Sequence, residues 1–209
     1  MASTNRLESK KRQSNGGSTD DSGIVGGVKR FFHLDEGAKI TTLQQLFVEQ
    51  LKDLYSAENQ LIEALPKMAE AAHASPLKKG FQTHLKQTKE HARRLERILK
   101  SLDEKPEGKT CKAMEGLVKE GNETISEDAS PEVKDAALIA AAQRVEHYEI
   151  AGYGCVRTYA TILGYKADAA VLGTTLQEEA DTDKKLTAAA KTLNLKPKKT
   201  VSNKNKRKS

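Results

Sequence analysis

Glu58, Glu149, Glu179 and Asp183, with His84 and His91, stand where a helical sequence is expected to carry hydrocarbon. Residues in an α-helix advance by about 100° around the axis, so each helix has an inward arc. In the first long helical segment, Glu58 falls within the arc of Leu43, Phe47, Leu54, Leu61 and Leu65. In the second, His84, Thr88 and His91 share the arc, with Gln87 at its edge. In the third, Glu149 lies with Ala142, Val145 and Val156, and Glu146 flanks it. In the fourth, Leu172, Leu176, Leu186 and Ala190 surround Glu179 and Asp183. Each segment thus sends an ionisable group inward, and no Lys or Arg lies in those stripes beside the acids. A domain is stable by only about 5–15 kcal/mol, and an uncompensated buried carboxylate consumes a large part of that. The missing positive charge is most simply a metal. Carboxylate oxygen with imidazole nitrogen suits two ions of iron or manganese, and zinc is compatible.

The elements that would position these groups follow from hydrophobic period and punctuation. Apolar residues at 43, 47, 51, 54, 61 and 65 predict a helix over about 40–74, capped by Thr41 or Thr42. Ser75-Pro76 ends it, and Pro76 suits the first turn of a second helix reaching about Leu102. A connection of about 28 residues holds a short helix near 111–126. Ser130-Pro131 opens a third long helix to about Leu163, Gly164 caps it, and a fourth runs over about 166–195. Two hairpins joined by one long crossover make an all-α, ferritin-like four-helix bundle over residues 40–195. Counting back from the turns sets Glu58 level with His91, and Glu149 between Glu179 and Asp183. An offset of 91 residues, pairing Leu54 with Val145 and Glu58 with Glu149, suggests two related hairpins. By the same face count Glu90, Glu178 and Asp181 point outward. Tyr55, Tyr148, Tyr153 and Tyr159 are packing residues whose hydroxyls reach polar partners.

Composition agrees with a helical bundle. Aromatic residues are 4% of 209, and there is no Trp. Mean hydropathy is −0.65, and no run of 18 apolar residues could span a membrane. With no charged-then-apolar leader, the expected location is the cytoplasm, with Cys111 and Cys155 as reduced thiols. Residues 1–39 form a flexible N-terminal extension in this reading, Ser- and Gly-rich at first, with Phe31 and Phe32 as packing or partner contacts. The net charge of +6 is misleading. Lys196, Lys198, Lys199, Lys204, Lys206, Arg207 and Lys208 supply seven positive charges after residue 195, leaving −1 for residues 1–195.

The runs DLYSAENQL (53–61), CKAMEGL (111–117), KDAALIAAAQRVEHYEIAGYG (134–154) and TLQEEADTDKKL (175–186) resemble the YciE/YciF family of bacterial ferritin-like proteins. The resemblance covers the whole predicted bundle and leaves out the tails. It implies a homodimer-forming di-metal protein linked to bacterial stress responses and described as ferroxidase-like. It matches Glu58 to the first-helix acid, Glu146 and Glu149 to the paired acids of VEHYE, and His84 to the histidine of HLxxT. Glu178, Glu179 and Asp183 fall in the acidic run of the fourth helix. Gln87 stands where some members carry a carboxylate, and some members lack a histidine at 91. The level count favours His91 as a ligand and the resemblance favours His84; both stay open here.

Two functions follow as expectations. One is redox chemistry at a di-iron centre, with oxygen or peroxide as oxidant. The other is a non-enzymatic, metal-stabilised stress protein whose basic tail contacts DNA phosphates without sequence preference.

Overall fold

The computed structural model describes residues 39–192. These form α1 (Leu43–Ala71), α2 (Ser75–Ser101), α3 (Lys112–Ser126), α4 (Pro131–Ile162) and α5 (Lys166–Thr192). Thr42 caps α1. Its hydroxyl accepts from the Gln45 amide at 3.1 Å while the Gln45 side chain accepts from the Thr42 amide at 3.1 Å, which satisfies two amides that the first turn leaves open. Pro76 and Pro131 sit in the first turns of α2 and α4. Gly164 takes φ +82 in the turn between α4 and α5, a conformation that costs a residue with a Cβ.

The first helix is shorter at both ends than its apolar period suggests. Its C-terminal limit has a long-range cause. The buried carboxylate of Asp135 on α4 accepts from the amides of His73 at 2.8 Å and Ala74 at 2.7 Å, which holds the α1–α2 turn extended.

The two hairpins, α1 with α2 and α4 with α5, have the most extensive packing, and α3 lies against α1 and α4. Gly152 lets α4 approach α1 closely, since a Cβ there would lie 2.8 Å from Leu54 Cδ2. The α2–α4 connection spans the bundle length, and 29 residues of α1 extend about 44 Å. The core divides into two apolar clusters. One includes Leu61, Leu65, Met68, Phe81, Leu138, Ile139 and Leu186. The other includes Phe47, Leu51, Leu95, Leu99, Val156 and Leu172. Glu58, His84, His91, Glu146, Glu149 and Glu179 are all buried as well.

The inward face of α5 departs from the expected one. It consists of Leu172, Thr175, Glu179, Thr182 and Leu186, while Leu176 is half-buried and Ala190 exposed. That spacing follows a 3.5-residue repeat, the period of a left-handed bundle. Threonines occupy the places where hydrocarbon would have announced it. Asp183 is turned aside as a result. Its carboxylate accepts from Gln143 Nε2 at 3.0 Å and lies 3.4 Å from His147 Nε2. The N-terminal extension with Phe31 and Phe32, and the basic run from Lys196 to Lys208, lie outside the described residues. Cys111 is buried, Cys155 exposed, and both are free.

Lys134 is buried near the start of α4. Its ammonium donates to the carbonyls of Thr124 and Ile125, each at 2.8 Å, and to that of Glu127. It thereby satisfies the carbonyl end of α3 and ties the crossover to the bundle. Lys134→Met is expected to cost about 2–3 kcal/mol in urea unfolding, against about zero for the exposed Lys112→Met. Equal effects would show that the ammonium does not anchor the crossover.

Candidate metal centre

Two groups of donors converge in the buried layer. The donor atoms of His84, Glu146, Glu149 and Glu179 lie within 4.8 Å of one another, as do those of Glu58, His91 and Glu179. Glu179 belongs to both. Its Oε2 is 3.8 Å from His84 Nε2, and its Oε1 is 2.7 Å from His91 Nδ1. Glu146 Oε1 is 3.2 Å from His84 Nε2, and Glu58 Oε1 is 3.6 Å from His91 Nδ1. The level count and the histidine of HLxxT therefore both lead to the cluster, His91 on one side and His84 on the other.

The closest pair, His91 Nδ1 and Glu179 Oε1, could be joined by a proton, but as lone pairs these atoms do not satisfy one another. Glu58 Oε2, His84 Nε2, His91 Nδ1, Glu146 Oε2 and both oxygens of Glu149 and Glu179 are buried with no hydrogen-bond partner. Buried polar atoms are nearly always hydrogen-bonded. Eight orphans in one layer, all lone-pair donors, are the chemistry of a cation site. The cluster can hold metal, and the residues fit it without a thiolate.

The other edge of His91 is fully engaged. Its Nε2 lies 2.8 Å from Glu178 Oε2. A carboxylate only accepts, so Nε2 carries the proton, and in the neutral ring Nδ1 presents a lone pair to Glu58 and Glu179. Glu178 in turn is held by Arg94, whose Nη1 donates to Oε2 at 2.5 Å and to Thr175 Oγ1 at 3.0 Å. Glu178, expected to point outward, is instead half-buried and orients His91. Carboxylate–histidine pairs of this kind fix ring orientation at metal sites. Neither sequence period nor resemblance marks Arg94, whose long side chain crosses from α2 to α5. Tyr153, fully buried on α4, donates to Glu58 Oε1, and its ring stands edge-on to His91 with centroids 6.2 Å apart. Gln87 is half-buried beside His84. Asp183 lies outside both donor groups.

Protonation follows burial and neighbours. Burial pushes Glu58 up from 4.5 to about 7 despite the pull of His91. Burial, reinforced by the charge of Glu179, drives Glu146 and Glu149 well above the usual carboxylate range. For His91, burial favours the neutral ring, but Glu179 and Glu58 outweigh it and push the imidazole up to about 10. Burial holds His84 down. Glu179 resists burial and stays low beside His91 and His84. Without a metal, protons take the cation's place.

Comparison with known proteins agrees with the fold. A model described as a domain of unknown function, DUF892, matches residues 42–197. Protein YciF of Escherichia coli (strain K12) is 47% identical over 150 residues, covering 71% of this chain and 90% of that protein. The crystal structure of the E. coli stress protein YciF matches with a TM-score of 0.70 at 46% identity, covering 72% of this chain and 96% of that one. YcfI from Rhodopseudomonas palustris matches with a TM-score of 0.70 at 42% identity, covering 73% and 98%. The chain belongs to the DUF892 family, the family of YciF.

Proposed function

We propose that this protein is a di-metal carboxylate protein that binds iron and performs ferroxidase-like redox chemistry in a bacterial stress response. The observation that carries the reading is the set of eight unpartnered donor atoms in the buried layer. Glu58, Glu146, Glu149 and Glu179 bring four negative charges, which two divalent cations would balance. Glu178 needs no such ion because Arg94 pairs with it. Glu179, with one oxygen toward each histidine, belongs to both donor groups and would serve as a ligand in either. Bound iron would supply one-electron redox chemistry with oxygen or peroxide as oxidant. The chain's own part is to hold the ions with carboxylates, which favour the ferric state, to present His91 through Nδ1, and to flank the layer with two apolar clusters. The link to stress rests on kinship with YciF, which is described as a stress protein. Among the described residues no helix is long and apolar enough to cross a membrane.

Purified from cells supplied with iron and manganese, the protein is expected to carry about two ions per chain, mostly iron. The metal-free protein should develop ferric absorbance when Fe(II) is added in air. A Glu58→Ala, Glu149→Ala double variant should do neither. Metal content or oxidation rates equal to the variant's would end the reading.

Glu178→Ala should leave the fold intact but loosen metal binding by about 10–100-fold in chelator competition. An unchanged affinity would show that His91 needs no orienting partner.

The pKa shifts set a direction for stability. A carboxyl whose pKa is higher in the folded chain stabilises fully below its unfolded value, and that contribution is lost as pH rises through the folded value. Glu58 spans 4.5 to about 7, and Glu146 and Glu149 shift the same way. His91, shifted from 6.5 to about 10, has the same sign, while Glu179 and His84, both lowered, oppose them. Thermal melts of metal-free protein should therefore fall from pH 4.5 through about 7, and metal should bind more tightly over that window as protons leave. A metal-free melting temperature that climbs across it would contradict the assignment.

A further inference from the structure

A cavity reaches the cluster from one side, where His84 and Glu146 meet it. A groove of about 410 Å³ runs between α2 and α5, within the size range of small-molecule sites. Leu77, Phe81 and Leu186 make buried apolar walls. His84 and Glu146, 4% and 2% exposed, line it as well, and each carries an atom without a hydrogen-bond partner. Lys79 and Lys185 line its exposed side. Neither lysine forms a salt bridge among the described residues, whereas Lys184, next to Lys185 on α5, pairs with Asp181 at 3.1 Å. Lys185 lies near enough to His84 for its charge to disfavour the imidazolium. The groove therefore has hydrocarbon walls, a cationic mouth and a metal-ligating inner edge.

We propose that this groove binds a small amphiphilic anion of the medium-chain carboxylate class. Its anionic head sits on Lys79 and Lys185, and its hydrocarbon body lies along Leu77, Phe81 and Leu186. Its far end meets the His84–Glu146 edge of the cluster. Two unpaired ammonium groups disfavour a cation, the apolar walls disfavour a sugar, and the volume is too small for a folded partner. That the bound molecule is what the centre acts on rests on the metal reading. Its binding does not, because the groove is built from side chains alone.

Gly80 supplies a clean test. It lines the groove, and a Cβ placed there meets nothing within 4 Å, so Gly80→Leu should fold while filling the mouth. Titration calorimetry of the full chain, stripped of metal, would use decanoate as the probe and decyltrimethylammonium as its cationic counterpart. The expected result is saturable decanoate binding, weakened at least about tenfold by Gly80→Leu and by the Lys79→Glu, Lys185→Glu pair. The cationic amphiphile should not bind. Absence of saturable decanoate binding would overturn the inference. So would equal binding of the cation, an unchanged Gly80→Leu, or a dimer that covers the groove and dissociates on that substitution. Metal content is measured on the same preparations. Decanoate binding without metal uptake would sink the metal reading and leave the groove standing, and metal uptake without decanoate binding would do the reverse.

Discussion

Four carboxylates and two imidazoles enclosed in a helical bundle are the constraint on which the rest of this structure depends. Charge in a low-dielectric interior must be neutralised, and here the fixed cations are elsewhere. Lys134 is spent on the carbonyls of the crossover, and Arg94 on Glu178. What remains is a layer whose lone pairs face one another. Protons or metal ions can neutralise it. The raised pKa values of Glu58, Glu146, Glu149 and His91 describe the protonated form of that layer. The reading as a metal centre describes the other form of the same site, with each ion displacing protons.

The scaffold holds the layer by long-range contacts more than by local ones. Tyr153 reaches from α4 to Glu58 on α1, across the close approach that Gly152 allows. Arg94 reaches from α2 to Glu178 on α5, and through it sets which nitrogen of His91 is free. Asp135 fixes the turn of the first hairpin from the start of the second. Each contact crosses between hairpins, so the two halves of the bundle are registered against each other by the groups that orient the site.

Much of this was legible in the sequence because the bundle is regular. Apolar period and proline positions give all five helices to within a few residues. Polar residues inside the apolar arcs identify Glu58, His84, His91, Glu149 and Glu179, and the helix levels bring Glu58 to His91. The misreadings on α5 share one cause. A straight 3.6-residue wheel drifts about 20° per heptad from a bundle face of 3.5-residue period. On α5 that drift draws Asp183 in and leaves Glu178 out, and Thr175 and Thr182 offer no hydrophobic signal to correct it. Arg94 and Asp135 were not legible for a different reason, since their partners lie more than 60 residues away in the chain.

The most direct measurement is anomalous diffraction from crystals of the iron-loaded protein, collected above and below the iron absorption edge. The account predicts two edge-dependent peaks in the buried layer, one beside His84 and one beside His91, with Glu179 between them. Ordered water or hydrogen-bonded carboxyl groups in that layer, with no anomalous density under iron-rich conditions, would contradict it.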